Sequence, residues 1–352
     1  LGPSVLVDPD RLHRHNHLMT VAELSRLAAQ VGLDVVGAAP AEPYEGTELA
    51  IAERRARGLF ADMRFTMARP ERSCHPERLL DGAQTVVSAA RCYYAPAPDP
   101  EPGEGRLARY TWRDEYADLR RSLDELGRLL GGAYRVLVDD SDHVDREAAV
   151  RAGVAFYGKS TMAITRRHGS WVVLGSLVTT VEIEPTPPLE LDCGACRLCI
   201  DACPTGALDE PGVLDATRCL SYWTQAAGPI PVPYRAKLGD TVYGCDICQE
   251  VCPWNRGIER RRAGVQPSPE ATPSISLREW LERDGDELVA ELERLYVPRK
   301  DPRWLRRNAL VVAGNVGDEE LVPVVERYAS SGDPLLAETA RWALARLDER
   351  TR

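Results

Sequence analysis

"CGACRLCIDACP", residues 193–204, sets Cys193, Cys196, Cys199 and Cys203 in the spacing C-x2-C-x2-C-x3-C-P. Bacterial ferredoxins hold a [4Fe-4S] cubane with this run. Three thiolates at three-residue intervals on a tight loop reach three irons of one cluster, and the fourth points to another. Further on, "CDICQEVCP" (residues 245–253) supplies Cys245, Cys248 and Cys252 and again closes on C-x3-C-P. One cysteine of a full second run is missing, and the isolated Cys219 is available to replace it. Crossed ligation then groups Cys193, Cys196 and Cys199 with Cys252, and Cys203, Cys219 and Cys245 with Cys248. Zinc also takes C-x2-C pairs, but two runs ending in Cys-Pro favour iron and sulfide. The reading is two [4Fe-4S] clusters passing electrons singly at low potential.

Working outward, a ferredoxin alone would be far shorter than 352 residues, so the clusters serve a larger body. Eight of the ten cysteines lie between 193 and 252; Cys74 and Cys92 read as small buried hydrophobes. Clustered thiols, the absence of a long apolar run and an N-terminus without a signal-peptide core together predict a cytoplasmic protein with no membrane segment. Hydrophobic content of 44% is ordinary for a globular chain, and a formal charge of −10 argues weakly against nucleic acid unless a local patch overrides it.

Upstream, helical and strand patterns alternate. Residues 21–32, 48–60, 116–132 and 145–153 carry helical spacing, while 33–39, 83–94, 134–140 and 170–183 read as strands. This predicts an α/β domain over residues 18–185, after an N-terminal tail at 1–17. A Pro-rich stretch, "EIEPTPPLEL", leads into a ferredoxin-like module at 186–262. Residues 263–352 are expected to be helical. Within 301–350 two similar helix pairs are expected; they resemble HEAT-type repeats and should pack on the body.

"GVAFYGKS", residues 153–160, matches the P-loop pattern G-x-x-x-x-G-K-S. A working P-loop needs a strand before and a helix after. Here a helical segment precedes and a β-rich one follows, so ATP binding is not expected.

Taken together, "VLVDDSDHVDREAAVRAGVAFYGKST", the ferredoxin run, "RCLSYWT", "GCDICQEVCPWN" and "RRNALVVAGNVGD" resemble the epoxyqueuosine reductase family over nearly the whole chain. That resemblance implies a cobalamin-dependent iron–sulfur enzyme that reduces epoxyqueuosine to queuosine at the wobble position of tRNA. It implies a corrinoid-binding α/β domain joined to the two-cluster module and the terminal helices. Asp139, in "VLVDDSD", would be the proton donor, since opening an epoxide leaves an alkoxide unless an acid protonates it. Gly158, Lys159 and Ser160 would lie against the corrinoid, with Ser221, Tyr222, Asp246 and Asp139 itself as further contacts. "DSDHVDR" fails the D-x-H-x-x-G pattern, so no histidine ligand to cobalt is expected, and His143 is read as a surface residue.

The chain departs from the family at "DSDH" after Asp139, at Ser160 where Asn is common, and at Glu115, Tyr116, Ala117, where D-Y-H is customary. These departures keep two alternatives open. One is a related corrinoid iron–sulfur reductase of another substrate, reductive dehalogenase-like; the other is an electron relay without its own substrate. Expected partners are tRNA and a low-potential electron donor, with the protein acting as a monomer. For tRNA the candidate patch is residues 294–308, with Arg294, Arg299, Lys300, Arg303, Arg306 and Arg307 interleaved with Tyr296 and Trp304.

Overall fold

The computed structural model describes residues 18–351; the expected tail at 1–17 lies outside the described residues. Among the described residues nine strands occur in chain order: β1 (Val35–Pro40), β2 (Thr85–Cys92), β3 (Glu104–Leu107), β4 (Tyr134–Leu137), β5 (Phe156–Tyr157), β6 (Ala163–Ile164), β7 (Val172–Thr179), β8 (Thr241–Tyr243) and β9 (Ser274–Ser276). The main sheet has the order β1-β2-β7-β4, and every pairing in it is antiparallel. Helix and strand alternate as expected, yet no parallel ladder of the kind that alternation usually builds is formed within this sheet.

β2 and β7 are the central pair, in register Val87 to Leu177 and Ala89 to Gly175. Both are apolar on both faces and almost wholly buried. The helix Glu115–Leu130 lies across them through Leu119, Leu123 and Leu126, a stripe of helical period. Asp114 caps its start by accepting from the Ala117 amide, and Gly131 at φ 76° ends it. Its approach needs Gly175, where a Cβ would stand 2.7 Å from Val138 and 2.8 Å from Leu123. At the other end of the domain Thr20 and Glu23 form a capping box on the helix Val21–Gln30.

The stretch 153–160 behaves as its flanks predicted. The helix Asp145–Arg151 precedes it, Gly153 turns the chain at φ 65°, and β5 and β6 form a hairpin around Gly158 to Met162. No helix follows Ser160, so the geometry of a P-loop is absent.

The small sheet β8-β3-β9 joins three distant stretches of chain. β3 pairs in parallel with β8 of the cysteine region and antiparallel with β9. One apolar core accordingly combines Leu107 and Trp112, Val242 and Tyr243, and Leu277, Leu305 and Leu310 of the terminal region. The terminal helices thus pack on the body. Residues 303–351 form three main helices, Arg303–Val316, Val322–Ala329 and Pro334–Thr351, rather than two complete pairs. Gly314 lets the first lie against the third, where a Cβ would come within 2.8 Å of the Ala343 backbone. Among the described residues no helix is long and apolar enough to cross a membrane.

Candidate active site

None of the ten cysteines is in a disulfide. Cys74 and Cys92 are buried, and the other eight are half-buried. Cys193, Cys196, Cys199 and Cys252 line one cavity of about 250 Å³, with Ser160 and Trp254 beside them. Chain folding therefore brings Cys252 to the first three thiols, as crossed ligation requires. The other four influence one another: Cys219 feels Cys203, Cys245 feels Cys219 and Cys203, and Cys248 feels Cys245 and Cys219. Burial first, and then these neighbouring thiols, push Cys245 up to about 12 and Cys248 well above the ordinary thiol range. Four thiolates crowded in this way need a cationic core to hold them charged, so the donor set fits iron. Among the described residues no three His, Cys, Asp or Glu side chains converge on a single-ion site.

Backbone donors support the thiols. The Lys159 amide faces Cys193 Sγ at 3.5 Å and the Ala207 amide faces Cys203 Sγ at 3.3 Å. The Lys159 ammonium donates to the carbonyls of Gly194 at 2.6 Å and Cys196 at 3.0 Å. Lys159 and Ser160 thus sit at the first thiol set, and the lysine clamps the cysteine loop. Gly158 is buried at the hairpin, where a Cβ would meet Ile164 at 2.6 Å. Behind Cys252, Asn255 accepts from the Ser170 amide at 2.7 Å and donates to the Gln249 carbonyl at 2.7 Å, fixing the module to the start of β7.

Asp139 lies two residues past β4 in the left-handed region, φ 49°. It is open to solvent, yet enough protein surrounds it that desolvation raises its carboxyl pKa, opposed by Arg120 and aided by Asp140. Its charge is felt by Tyr116 and by Tyr243, and Tyr243 is two residues before Cys245. Tyr110 in turn feels Tyr243, Tyr116 and Asp246. Tyr116 and Tyr243 thus lie within electrostatic reach of Asp139, and Tyr110 within reach of both and of Asp246. Tyr110 and Tyr116 are half-buried, and neither hydroxyl has a hydrogen-bond partner among the described residues.

Asp246 is deeply buried and held by Arg109, whose amide and guanidinium both donate to Oδ2, at 2.9 and 3.1 Å. Burial raises its carboxyl to about 6 against the pull of Arg109, and its Oδ1 has no partner. Arg109 itself lies over the rings of Trp171, Tyr94 and Trp112 at 4.8 to 5.8 Å. Sequence reasoning missed Arg109, because a partner 137 residues away leaves no local pattern. The Tyr222 hydroxyl donates to Asp62, and Ser221 Oγ accepts from Gln225 at 3.1 Å.

Two expectations are corrected. His143 is not a surface residue. It is fully buried beside Tyr44 with neither ring nitrogen bonded, and burial holds its pKa at about 3. Nor does the 294–308 patch hold together. Arg307 is buried and donates to the carbonyls of Trp223, Ala226 and Gly228, while Arg294 and Arg306 bond to backbone. Lys300 and Arg303 face Glu293 and Asp301.

A family model described as "4Fe-4S double cluster binding domain" matches residues 192–255. With the fold and the two thiol sets, this defines an iron–sulfur oxidoreductase. A second, described as "Epoxyqueuosine reductase QueG, DUF1730", matches residues 73–140, which include Asp139. The epoxyqueuosine reductase of Lactococcus garvieae is 32% identical over 94% of this chain and 97% of its own length. That of Synechococcus is 41% identical over 70% of this chain and 80% of its own. The chain belongs to the epoxyqueuosine reductase family. A crystal structure of epoxyqueuosine reductase with a tRNA-Tyr epoxyqueuosine-modified stem loop superposes at TM-score 0.83 and 31% identity, covering 93% of this chain and 89% of that one. A Bacillus subtilis structure with its aspartate catalytic loop swung out of the active site matches at 0.82 and 30%, covering 93% and 90%.

Proposed function

We propose that this chain reduces epoxyqueuosine to queuosine in tRNA, with Asp139 as the proton donor. Removing the epoxide oxygen restores a carbon–carbon double bond: two electrons and two protons enter, and water leaves. The observation that carries the reading is the site of Asp139, a solvent-reached acid with a raised pKa whose charge is felt by Tyr243, two residues before the thiol of Cys245. A raised pKa keeps more of the carboxyl protonated near neutral pH, so that it can deliver a proton as the C–O bond opens. The left-handed backbone at this position is one that an aspartate adopts at some strain, which is common where a side chain must be aimed.

The eight cysteines are read as ligands, Cys193, Cys196, Cys199 and Cys252 to one [4Fe-4S] cluster and Cys203, Cys219, Cys245 and Cys248 to the other. Cobalamin is read as lying near Asp139 and the second thiol set, where the buried Asp246 Oδ1 lacks a partner and could take a donor from a polar-edged group. Asp246, Ser221 and Tyr222 would hold it; when bound, it supplies low-potential electrons to the substrate carbon. Lys159 and Ser160 are better read as serving the first cluster, with Gly158 shaping the hairpin that presents them. We read residues 18–185, 186–262 and 263–352 as the corrinoid-binding, ferredoxin-like and HEAT-like units of a cytoplasmic monomer that takes electrons from a low-potential donor.

The test is reduction of epoxyqueuosine-containing tRNA by wild type and Asp139→Asn. The amide cannot donate an acidic proton, so a rate loss of about 10²–10⁴-fold is expected with iron content unchanged. Full activity in the variant would remove Asp139 from the mechanism.

A further inference from the structure

Three residues beyond Asp139, the loop is gripped by a cluster that the chemistry above does not use. Asp142 is nearly buried, and three guanidiniums converge on its carboxylate: Arg69 at 3.1 Å, Arg72 at 2.6 Å and Arg135 at 3.3 Å. One negative charge would hold the loop with one arginine. Three put two more positive charges on this carboxylate than it balances, and none of the three pairs with Asp139 or Asp140 of the same loop. The excess faces outward: the Arg69 and Arg72 side chains are 55% and 47% exposed. Each gives one terminal nitrogen to Asp142, and among the described residues neither has another ion-pair partner. A guanidinium has five N–H donors, so both keep donors free in the planar fork that matches a phosphate.

We infer that Arg69, Arg72 and Arg135 form a phosphate site for the RNA backbone beside the nucleotide that reaches Asp139. The inference rests on tRNA being the substrate. Distance supports it, since three residues of chain span at most about 10 Å. A nucleotide presenting its reacting ring to Asp139 therefore carries a flanking phosphodiester to the cluster. On the same segment as Arg69, Phe65 is 45% exposed and adjoins Arg64, the aromatic-beside-cation pattern on which unpaired bases stack. Asp142 then has two roles. It ties the loop that bears Asp139, and it keeps mutually repelling guanidiniums together until a phosphate shares them.

The experiment measures binding of an anticodon stem-loop RNA to holoprotein across a salt series. Each phosphate contact contributes about 0.7–0.9 to the slope of log affinity against log salt. The double variant Arg69→Ala/Arg72→Ala is expected to bind about tenfold more weakly at low salt and to show a slope shallower by about one. Asp142→Asn, which frees the guanidiniums from their carboxylate, should keep the wild-type slope or steepen it. Were the arginines only braces for the loop, the double variant would lose turnover yet keep the wild-type salt slope, which overturns the inference. Wild-type protein that fails to bind the stem-loop at any salt would sink the tRNA reading itself, and the phosphate site with it.

Discussion

Burial of His143 makes the stability of this fold depend on pH in a way its carboxylates cannot explain. Above pH 6.5 the ring is neutral whether the chain is folded or not, and it adds no pH dependence. Below that, the unfolded chain takes up a proton that the native state refuses until about pH 3, because burial and the nearby Arg135 disfavour the cation. Stability therefore falls with pH across this window, by about 1.4 kcal/mol per unit and roughly 5 kcal/mol in all. The perturbation is His143→Leu, of similar volume and without a titrating group. At pH 8 the variant should be no less stable, because it deletes two buried nitrogens that lack partners, at about 1–3 kcal/mol of desolvation each. That offset mixes packing with polarity, but the slope does not. Native-state hydrogen exchange of the helix Asp145–Arg151, which follows His143 directly, reads the opening energy without destroying the clusters. Between pH 5.5 and 4.5 the wild type should lose about 1.4 kcal/mol more than the variant. Carboxylate contributions cancel in this difference. Parallel slopes for the two proteins would refute the argument.

Other expectations follow from the same contacts. Cys252→Ser and Cys193→Ser should deplete one and the same cluster, and Cys219→Ser and Cys245→Ser the other; iron analysis with electron paramagnetic resonance would expose a wrong pairing through mismatched signals. Arg307→Met removes a buried guanidinium that satisfies the carbonyls of Trp223, Ala226 and Gly228. It should cost about 3 kcal/mol or more by denaturant unfolding, because the acceptors stay buried. An exposed neighbour, Arg299→Met, should change stability by less than about 0.5 kcal/mol in the same assay.

What could be read from the sequence was what is local. Cysteine spacing is a ligand pattern within a few turns of chain, so Cys193, Cys196 and Cys199 declared themselves. The helix Glu115–Leu130 likewise shows its apolar stripe in any window. The direction of strand pairing was not legible, since alternation of helix and strand does not state which edges meet. Nor were β3, β8 and β9, each only three or four residues long. The basic run at 294–308 misled because charge in a sequence has no direction. The helix Arg303–Val316 is buried over most of its length, and it turns Arg307 inward to backbone carbonyls. His143 misled in the opposite sense, a polar letter among aspartates that the fold encloses. The pairing of Arg109 with Asp246 was invisible because it exists only after two distant stretches of chain meet.

The three-stranded patch that joins β8, β3 and β9 also sets an order of events at the ribosome. β3 emerges early, but its two edges stay open until residues 241–243 and then 274–276 have been made. Throughout that interval the nascent chain displays unpaired amides beside a half-built apolar core. A transcript broken between the codons for residues 253 and 273 would therefore yield a polypeptide that holds every cysteine yet keeps a sticky flank, and such fragments should collect in inclusion bodies rather than as small working enzymes.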